Sequence, residues 1–159
     1  MEIVLYEPEI PANTGNIGRT AVATGSGLHL IEPLGFLLND RMIKRAGMDY
    51  WEKIDLHRYI EYKEFEKQHS GDDIWYVTTK APRAYTEVTY SLGDYLMFGP
   101  ESRGIPEGIL KDHMDHCIRI PMAPGERSLN LSNAVSIVLY EALRQTGFMG
   151  LEIKGHLTT

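Results

Sequence analysis

The chain has 159 residues, 43% hydrophobic and 24% charged, with 16 Lys and Arg against 22 Asp and Glu, a formal net charge of −6. That length suits one domain burying about 70% of its unfolded surface, and a lone cysteine, Cys117, excludes an internal disulfide framework and fits a reducing, cytoplasmic setting. No apolar run approaches the roughly 20 residues that span a bilayer, the opening Met1–Glu7 lacks the basic region of a signal peptide, and the acid excess taken alone argues against a polyanionic partner such as nucleic acid.

From the amino end, Ile3-Val4-Leu5-Tyr6 reads as a buried strand closed by Pro8 and Pro11. Asn13 or Thr14 offers a cap for a helix through Ile17, Arg19 and Val22, which Gly25 and Gly27 end. Leu28-His29-Leu30-Ile31 is a second strand stopped by Pro33, and Asp40 can cap a short helix over 41–46. The stretch 50–59 fits neither period, while Tyr62 to Gln68 reads as a short surface helix. Ile74 to Thr79 is the next strand, with Tyr85 to Tyr90 as an extension at the sheet edge. Tyr95 to Phe98 is a buried strand that runs straight into Gly99-Pro100. Pro106 and Glu107 suit the first turn of a short helix, where a missing N–H costs nothing and a carboxylate meets the positive dipole end. Ile118-Arg119-Ile120 is the last strand. The longest helix follows, about Asn130 to Gln145, with Leu131, Ala134, Val135, Val138, Leu139, Ala142 and Leu143 on one broad apolar face. Gly147 punctuates a tail expected to be mobile from about residue 148. Strands alternating with helices, without repeat or linker, predict one α/β domain over 1–159 with a mostly parallel sheet flanked by helices.

Three segments gather glycine, proline and polar residues where a strand hands over to a helix, the edge at which open α/β sheets bind ligands. The first is Asn13-Thr14-Gly15-Asn16-Ile17-Gly18-Arg19-Thr20, where glycines permit close backbone approach and Arg19 adds donors for phosphate or carboxylate; a capped turn with a surface arginine is the plainer reading. The second, Phe98 to Pro106, holds two glycines and two prolines around Glu101, Ser102 and Arg103; as a mere crossover turn it would carry an internal Glu101–Arg103 contact. The third joins Ile118 to Met122 with Glu126-Arg127-Ser128-Leu129-Asn130-Leu131-Ser132-Asn133, of which one polar residue is needed as a helix cap and the rest suggest a lined pocket. His113, His116 and Cys117 lack the further ligands zinc wants and read better as a helix end. Arg41, Lys44 and Arg45 form a small basic group that contacts phosphate or simply faces solvent, and Trp51, Tyr59 and Tyr62 read as packing rather than a base-stacking platform.

Taken in order, Asn-x-Gly-Asn-Ile-x-Arg, Gly-Pro-Glu-Ser-Arg-Gly, and Ile-x-Ile-Pro-Met with Ser-Leu-Asn-Leu-Ser-Asn-Ala resemble the three motifs of the SPOUT class of RNA methyltransferases. The opening Ile3 to Pro11, Leu30 to Phe36, and Arg45 to Tyr50 look like its small TrmL/YibK-like branch, over about residues 2 to 148. The resemblance implies a C-terminal trefoil knot, S-adenosyl-L-methionine as cofactor, no metal, and 2′-O-methylation of the wobble nucleotide, position 34, in the anticodon loop of leucine tRNAs. It implies cofactor contacts at Val77, Thr78, Gly99, Glu101, Gly104, Ile120, Met122, Ser128 and Leu129, with Gly99 leaving room for the ligand against the backbone. Arg19, Ser128 and Asn130 are the implied catalytic residues; Arg19, Arg41, Lys44 and Arg45 the RNA contacts; and Tyr140 a position in a homodimer interface. Gly18 departs from the family, where a larger apolar residue is common, and should loosen the first helix. Another tRNA or rRNA position, or a non-catalytic knotted binding module, are the competing readings. The charge of −6 is then an average: basic side chains such as Arg19, Arg41, Lys44, Arg45 and Arg127 are local, and Glu61, Glu64, Glu66, Asp72 and Asp73 lie elsewhere.

Overall fold

Short runs that alternate in burial set the sheet in this computed structural model, which describes residues 1–39 and 49–157. Arg41, Lys44 and Arg45, and the helix expected over 41–46, lie outside the described residues. Strands β1 (Glu2–Tyr6), β2 (Gly27–Ile31), β3 (Leu56–Tyr59), β4 (Ile74–Val77), β5 (Tyr95–Phe98) and β6 (Cys117–Ile118) form one parallel sheet in the order β3-β2-β1-β5-β4-β6. In register, Ile3 lies beside Leu28 and Leu96, and Leu5 beside Leu30 and Phe98. These side chains point to one face, where helices α1 (Pro11–Thr24) and, at the carboxyl end, Leu131–Gln145 cover them with Ile17, Ala21, Val135, Val138, Leu139 and Ala142. Val4, Ile31, Tyr76 and Met97, one residue out of step, point to the other face against Phe65 of α2 (Tyr62–Gln68) and Leu110 of α3 (Glu107–Asp112). The Leu131–Gln145 helix is α4. Each fully buried aliphatic side chain here contributes about 1.5–3 kcal/mol.

Several boundaries differ from the sequence expectation, each for a long-range reason. Helix α1 begins at Pro11, and Asn13 and Thr14 are buried within it instead of capping it; Ile10 is the cap residue and makes no side-chain cap bond. The ambiguous 50–59 stretch resolves into a 3₁₀ turn, Trp51–Lys53, and the edge strand β3, whose central His57 and Arg58 stay exposed because only one neighbour pairs with it. Strand β4 stops at Val77, not Thr79, and β6 at Ile118, not Ile120. Tyr85 to Tyr90 form no strand: a single bridge joins Ala84 to Arg119, and Gln145 of α4 takes over the backbone groups of Val88 and Tyr90. Thr78 N–H donates to Ile118 O on one side, while Arg119 N–H donates to Arg83 O on the other. Residues 118 and 119 thus run between the end of β4 and the 83–85 segment that follows it in the chain. At the carboxyl end, Phe148 and Leu151 pack on the α1–α4 face. Among the described residues, no helix is long and apolar enough to cross a membrane.

Candidate active site in two adjoining clefts

The strand order reverses between β1 and β5, so the loops after these strands diverge and leave a crevice at the carboxyl edge. Two glutamates close it by exchanging hydrogen bonds. Glu101, after β5, accepts from Glu9 N (2.8 Å), Ile10 N (3.0 Å) and Asn13 Nδ2 (3.1 Å). Glu9, after β1, accepts from Ser102 N (2.9 Å) and Ser102 Oγ (2.7 Å), bonds that hold its carboxyl below the ordinary glutamate value. Arg103 pairs with Glu7 and lies 3.9 Å from Glu9. The internal Glu101–Arg103 contact of a simple turn is therefore not what forms, because both side chains reach across to the β1–α1 connection. In doing so Glu101 serves the entry of α1, which lacks a cap of its own, and places a negative charge at its positive dipole end.

Asn13 carries the connection onward. It is 5% exposed, and its Oδ1 accepts from Asn130 Nδ2 at 3.0 Å. Asn130 is the cap of α4, its Oδ1 accepting from Ser132 N (2.9 Å), Asn133 N (3.3 Å) and Ser132 Oγ (2.6 Å). One hydrogen-bonded chain, Glu101–Asn13–Asn130, thus joins segments more than a hundred residues apart in part of its length. Sequence reasoning missed Glu9 entirely and mistook Asn13 for a cap. A carboxylate two residues before Pro11 carries no local signal of a tertiary partner.

Beside this chain lies a cleft of about 600 Å³ at the carboxyl ends of β4, β5 and β6 and the start of α4. Val77, Thr78, Gly99, Glu101, Gly104, Ile120, Met122, Ser128 and Leu129 all line it, as do Asn13 and Asn130. Lys80, Arg103 and Arg127 also line it, and Lys80 pairs with Glu107. Gly99 is required by the fold of its own loop. A Cβ there would overlap the backbone of Gly104 and Ile105, so the loop folds back on itself too tightly for a side chain before any ligand is considered. Gly104 itself takes φ +72°, a left-handed conformation that makes the reversal possible.

Arg19 is not on this cleft. Along α1 it stands six residues beyond Asn13, roughly 9 Å up the helix axis. It lines a second cleft of about 360 Å³ with Asn16, Thr20 and Ala23 of α1 and Ser132, Asn133, Ser136 and Tyr140 of α4. The implied catalytic set is divided: Ser128 and Asn130 face the first cleft, Arg19 the second, and the paired first turns of α1 and α4 stand between. Tyr140 is 47% exposed at the open side of the second cleft. Tyr50 packs its ring under Arg19, whose guanidinium carbon lies 5.9 Å from the ring centroid.

The remaining candidates take structural places. Cys117 is buried, donates weakly to carbonyls of Leu110 and His113, and has its thiol pushed up by burial. His113 stacks on Tyr76 and His116 on Trp75, and among the described residues no group of three His, Cys, Asp or Glu is placed to hold a metal. Tyr59 is buried, its hydroxyl shared between His29 Nδ1 (2.8 Å) and His69 Nε2 (2.9 Å), and burial pushes it up to about 12.

Residues 1–140 match the model of the SpoU rRNA Methylase family. The chain is 50% identical over 155 residues, 97% of its own length and 99% of the relative's, to the tRNA (cytidine(34)-2′-O)-methyltransferase of Escherichia coli K12. A solved structure described as giving insights into the 2-OH methylation of C/U34 on tRNA superposes with a TM-score of 0.86 at 45% identity, covering 92% of this chain and 95% of that one. The AdoMet-bound rRNA methyltransferase of Sinorhizobium meliloti matches with a TM-score of 0.78 at 28% identity, covering 90% of this chain and 55% of the other.

Proposed function

Since the chain belongs to the SpoU rRNA methylase family, we propose that it is an S-adenosyl-L-methionine-dependent tRNA methyltransferase acting on the ribose 2′-hydroxyl of nucleotide 34. The observation that carries this reading is the convergence of three distant segments on one cleft, in a chain half-identical to an enzyme of that name. The cleft suits the cofactor chemically. Val77, Ile120 and Leu129 give an apolar wall for a flat base; Thr78, Ser128 and Asn130 give hydroxyl and amide partners; and Glu101 brings negative charge near a sulfonium. Those residues, with Gly99, Gly104 and Met122 shaping the walls, are the proposed binding set. S-adenosylmethionine supplies a methyl group already activated by its positive sulfur.

The chain's own residues align and stabilise. Ser128 or Asn130 orients the 2′-hydroxyl, and the Glu101–Asn13–Asn130 chain keeps that amide in place. Arg19 stabilises the alkoxide that develops as the hydroxyl proton passes to solvent water, and holds an adjacent phosphate. Arginine stays charged at neutral pH, so an electrostatic role suits it better than that of a base. Arg19 and the first cleft are apart within one chain. A homodimer pairing the α1 and α4 faces through Tyr140 would set a partner's surface against Arg19, and it belongs to the proposal. So do the leucine tRNAs as substrate, the cytoplasm as location, Arg41, Lys44 and Arg45 as further phosphate contacts, and the C-terminal knot. The run of residues 118 and 119 between β4 and the 83–85 segment supports the knot.

Incubating bulk tRNA with methyl-labelled cofactor and mapping the nucleosides tests the assignment. Label on the 2′-oxygen of nucleotide 34 of leucine tRNAs is expected; label elsewhere reassigns the substrate, and unlabelled RNA refutes the enzyme reading. Arg19→Ala should bind cofactor normally and lose most transfer, and full turnover by that variant would remove Arg19 from the site.

A further inference from the structure

The turn of α1 that carries Arg19 is gripped from outside the helix by residues 50–54. The Tyr50 hydroxyl donates to Gly15 O at 2.6 Å. In an α-helix that carbonyl is the acceptor for the amide of residue 19, so a second bond to its free lone pair fixes the turn on which Arg19 sits. The same ring lies 5.9 Å from the Arg19 guanidinium carbon, within reach of a cation–π contact. The neighbouring 3₁₀ turn is held by Lys53 N to Tyr50 O (2.9 Å) and Ile54 N to Trp51 O (3.1 Å), so Tyr50 stands on a fixed support. That support fits because residue 18 is glycine. A Cβ at Gly18 would come within 2.7 Å of Ile54 Cδ1 and 3.3 Å of a Trp51 ring carbon.

We infer that Tyr50 is a positioning residue for Arg19, setting the guanidinium through the Gly15 carbonyl and the ring face, and that Gly18 is the accommodation that lets it approach. The inference rests on the proposed role of Arg19. Desolvation raises the Tyr50 phenol, and the Arg19 charge beside it opposes that rise. Residue 18, which by its propensity alone loosens the helix, instead admits the brace that stiffens the following residue.

Single-turnover methyl transfer to tRNA, with Tyr50→Phe and Tyr50→Leu each made in the wild-type and Arg19→Ala backgrounds, tests this. Tyr50→Leu should slow transfer by about tenfold or more and Tyr50→Phe, which keeps the ring, by less, with the cofactor Kd within about twofold of wild type. In the Arg19→Ala background the Tyr50 substitutions should have no further effect, because the group they position is gone. Equal slowing in both backgrounds, or no slowing in wild type, overturns the positioning role. Full turnover by Arg19→Ala alone overturns the reading of Arg19 and is distinguishable from either. A readout independent of turnover is the ionisation of Tyr50, followed by tyrosine-ring carbon NMR with Tyr50→Phe giving the assignment. Its midpoint should rise when Arg19 becomes Ala, and an unmoved midpoint means ring and guanidinium are not in contact.

Discussion

Replacing Glu101 by Gln separates a residue that only lines the first cleft from one that builds it. The carboxylate accepts three hydrogen bonds, two of them from the backbone N–H groups of Glu9 and Ile10 at the entry of α1 and one from the buried Asn13 amide. Glutamine keeps one oxygen but turns an NH₂ toward one of these donors, leaving that N–H without an acceptor and removing the charge from the helix dipole. Hydrogen bonds to charged groups contribute about 1.5–3 kcal/mol each, and partial exposure lets water compensate, so the loss should be about 2 kcal/mol. For a chain of this size that lowers Tm by roughly 4–8 °C. Thermal unfolding by circular dichroism of the protein without cofactor reads it directly, with calorimetric titration of the cofactor alongside. If Glu101 acted only on a bound ligand, the ligand-free Tm would not move. A Tm within about 1 °C of wild type would refute the claim that this carboxylate holds the entry of α1 and joins the three segments.

Gly99→Ala and Gly18→Ala should behave oppositely although both add one methyl. The first meets the backbone of Gly104 and Ile105, and should disrupt the loop and lower both Tm and cofactor affinity. The second meets the flexible end of Ile54 at 2.7 Å and a Trp51 ring carbon at 3.3 Å, side chains that can shift, and gains up to about 1 kcal/mol of helix propensity, so its Tm should stay within a few degrees of wild type. Asn130→Ala removes the α4 cap and leaves Asn13 Oδ1 without its donor, a loss of about 1–2 kcal/mol by chemical denaturation with an unchanged m-value. Glu9 has its carboxyl lowered by Ser102, so its contribution is fully present above the unfolded value of about 4.5 and is lost as pH falls through the lower folded value. Melting curves between pH 6 and pH 3 should show a steeper acid decline for wild type than for Glu9→Gln; parallel declines would discount the Ser102 bonds.

Much of this was legible along the chain because its signals are local. Apolar runs such as Ile3 to Tyr6 and Tyr95 to Phe98, the period of α4, and the glycine–proline clusters after β5 each act within a few residues. The residues that the family resemblance implied for the cofactor all line one cleft. What sequence could not decide depends on groups far apart in the chain. The chain entering α1 is held by a carboxylate from residue 101 and not by Asn13 or Thr14 as a cap, and the glycine at 99 answers to the backbone of 104 and 105. Edge strand β3 carries too little two-sided burial to show a period, and the 85–90 segment loses its strand pairing to Gln145. Arg19 shares a helix with Asn13, yet the packing of α1 on α4 puts it in a separate cleft with Tyr50 beneath it. Local chemistry named the residues; the closing of the β1–β5 crevice and the packing of two helices decided which of them stand together.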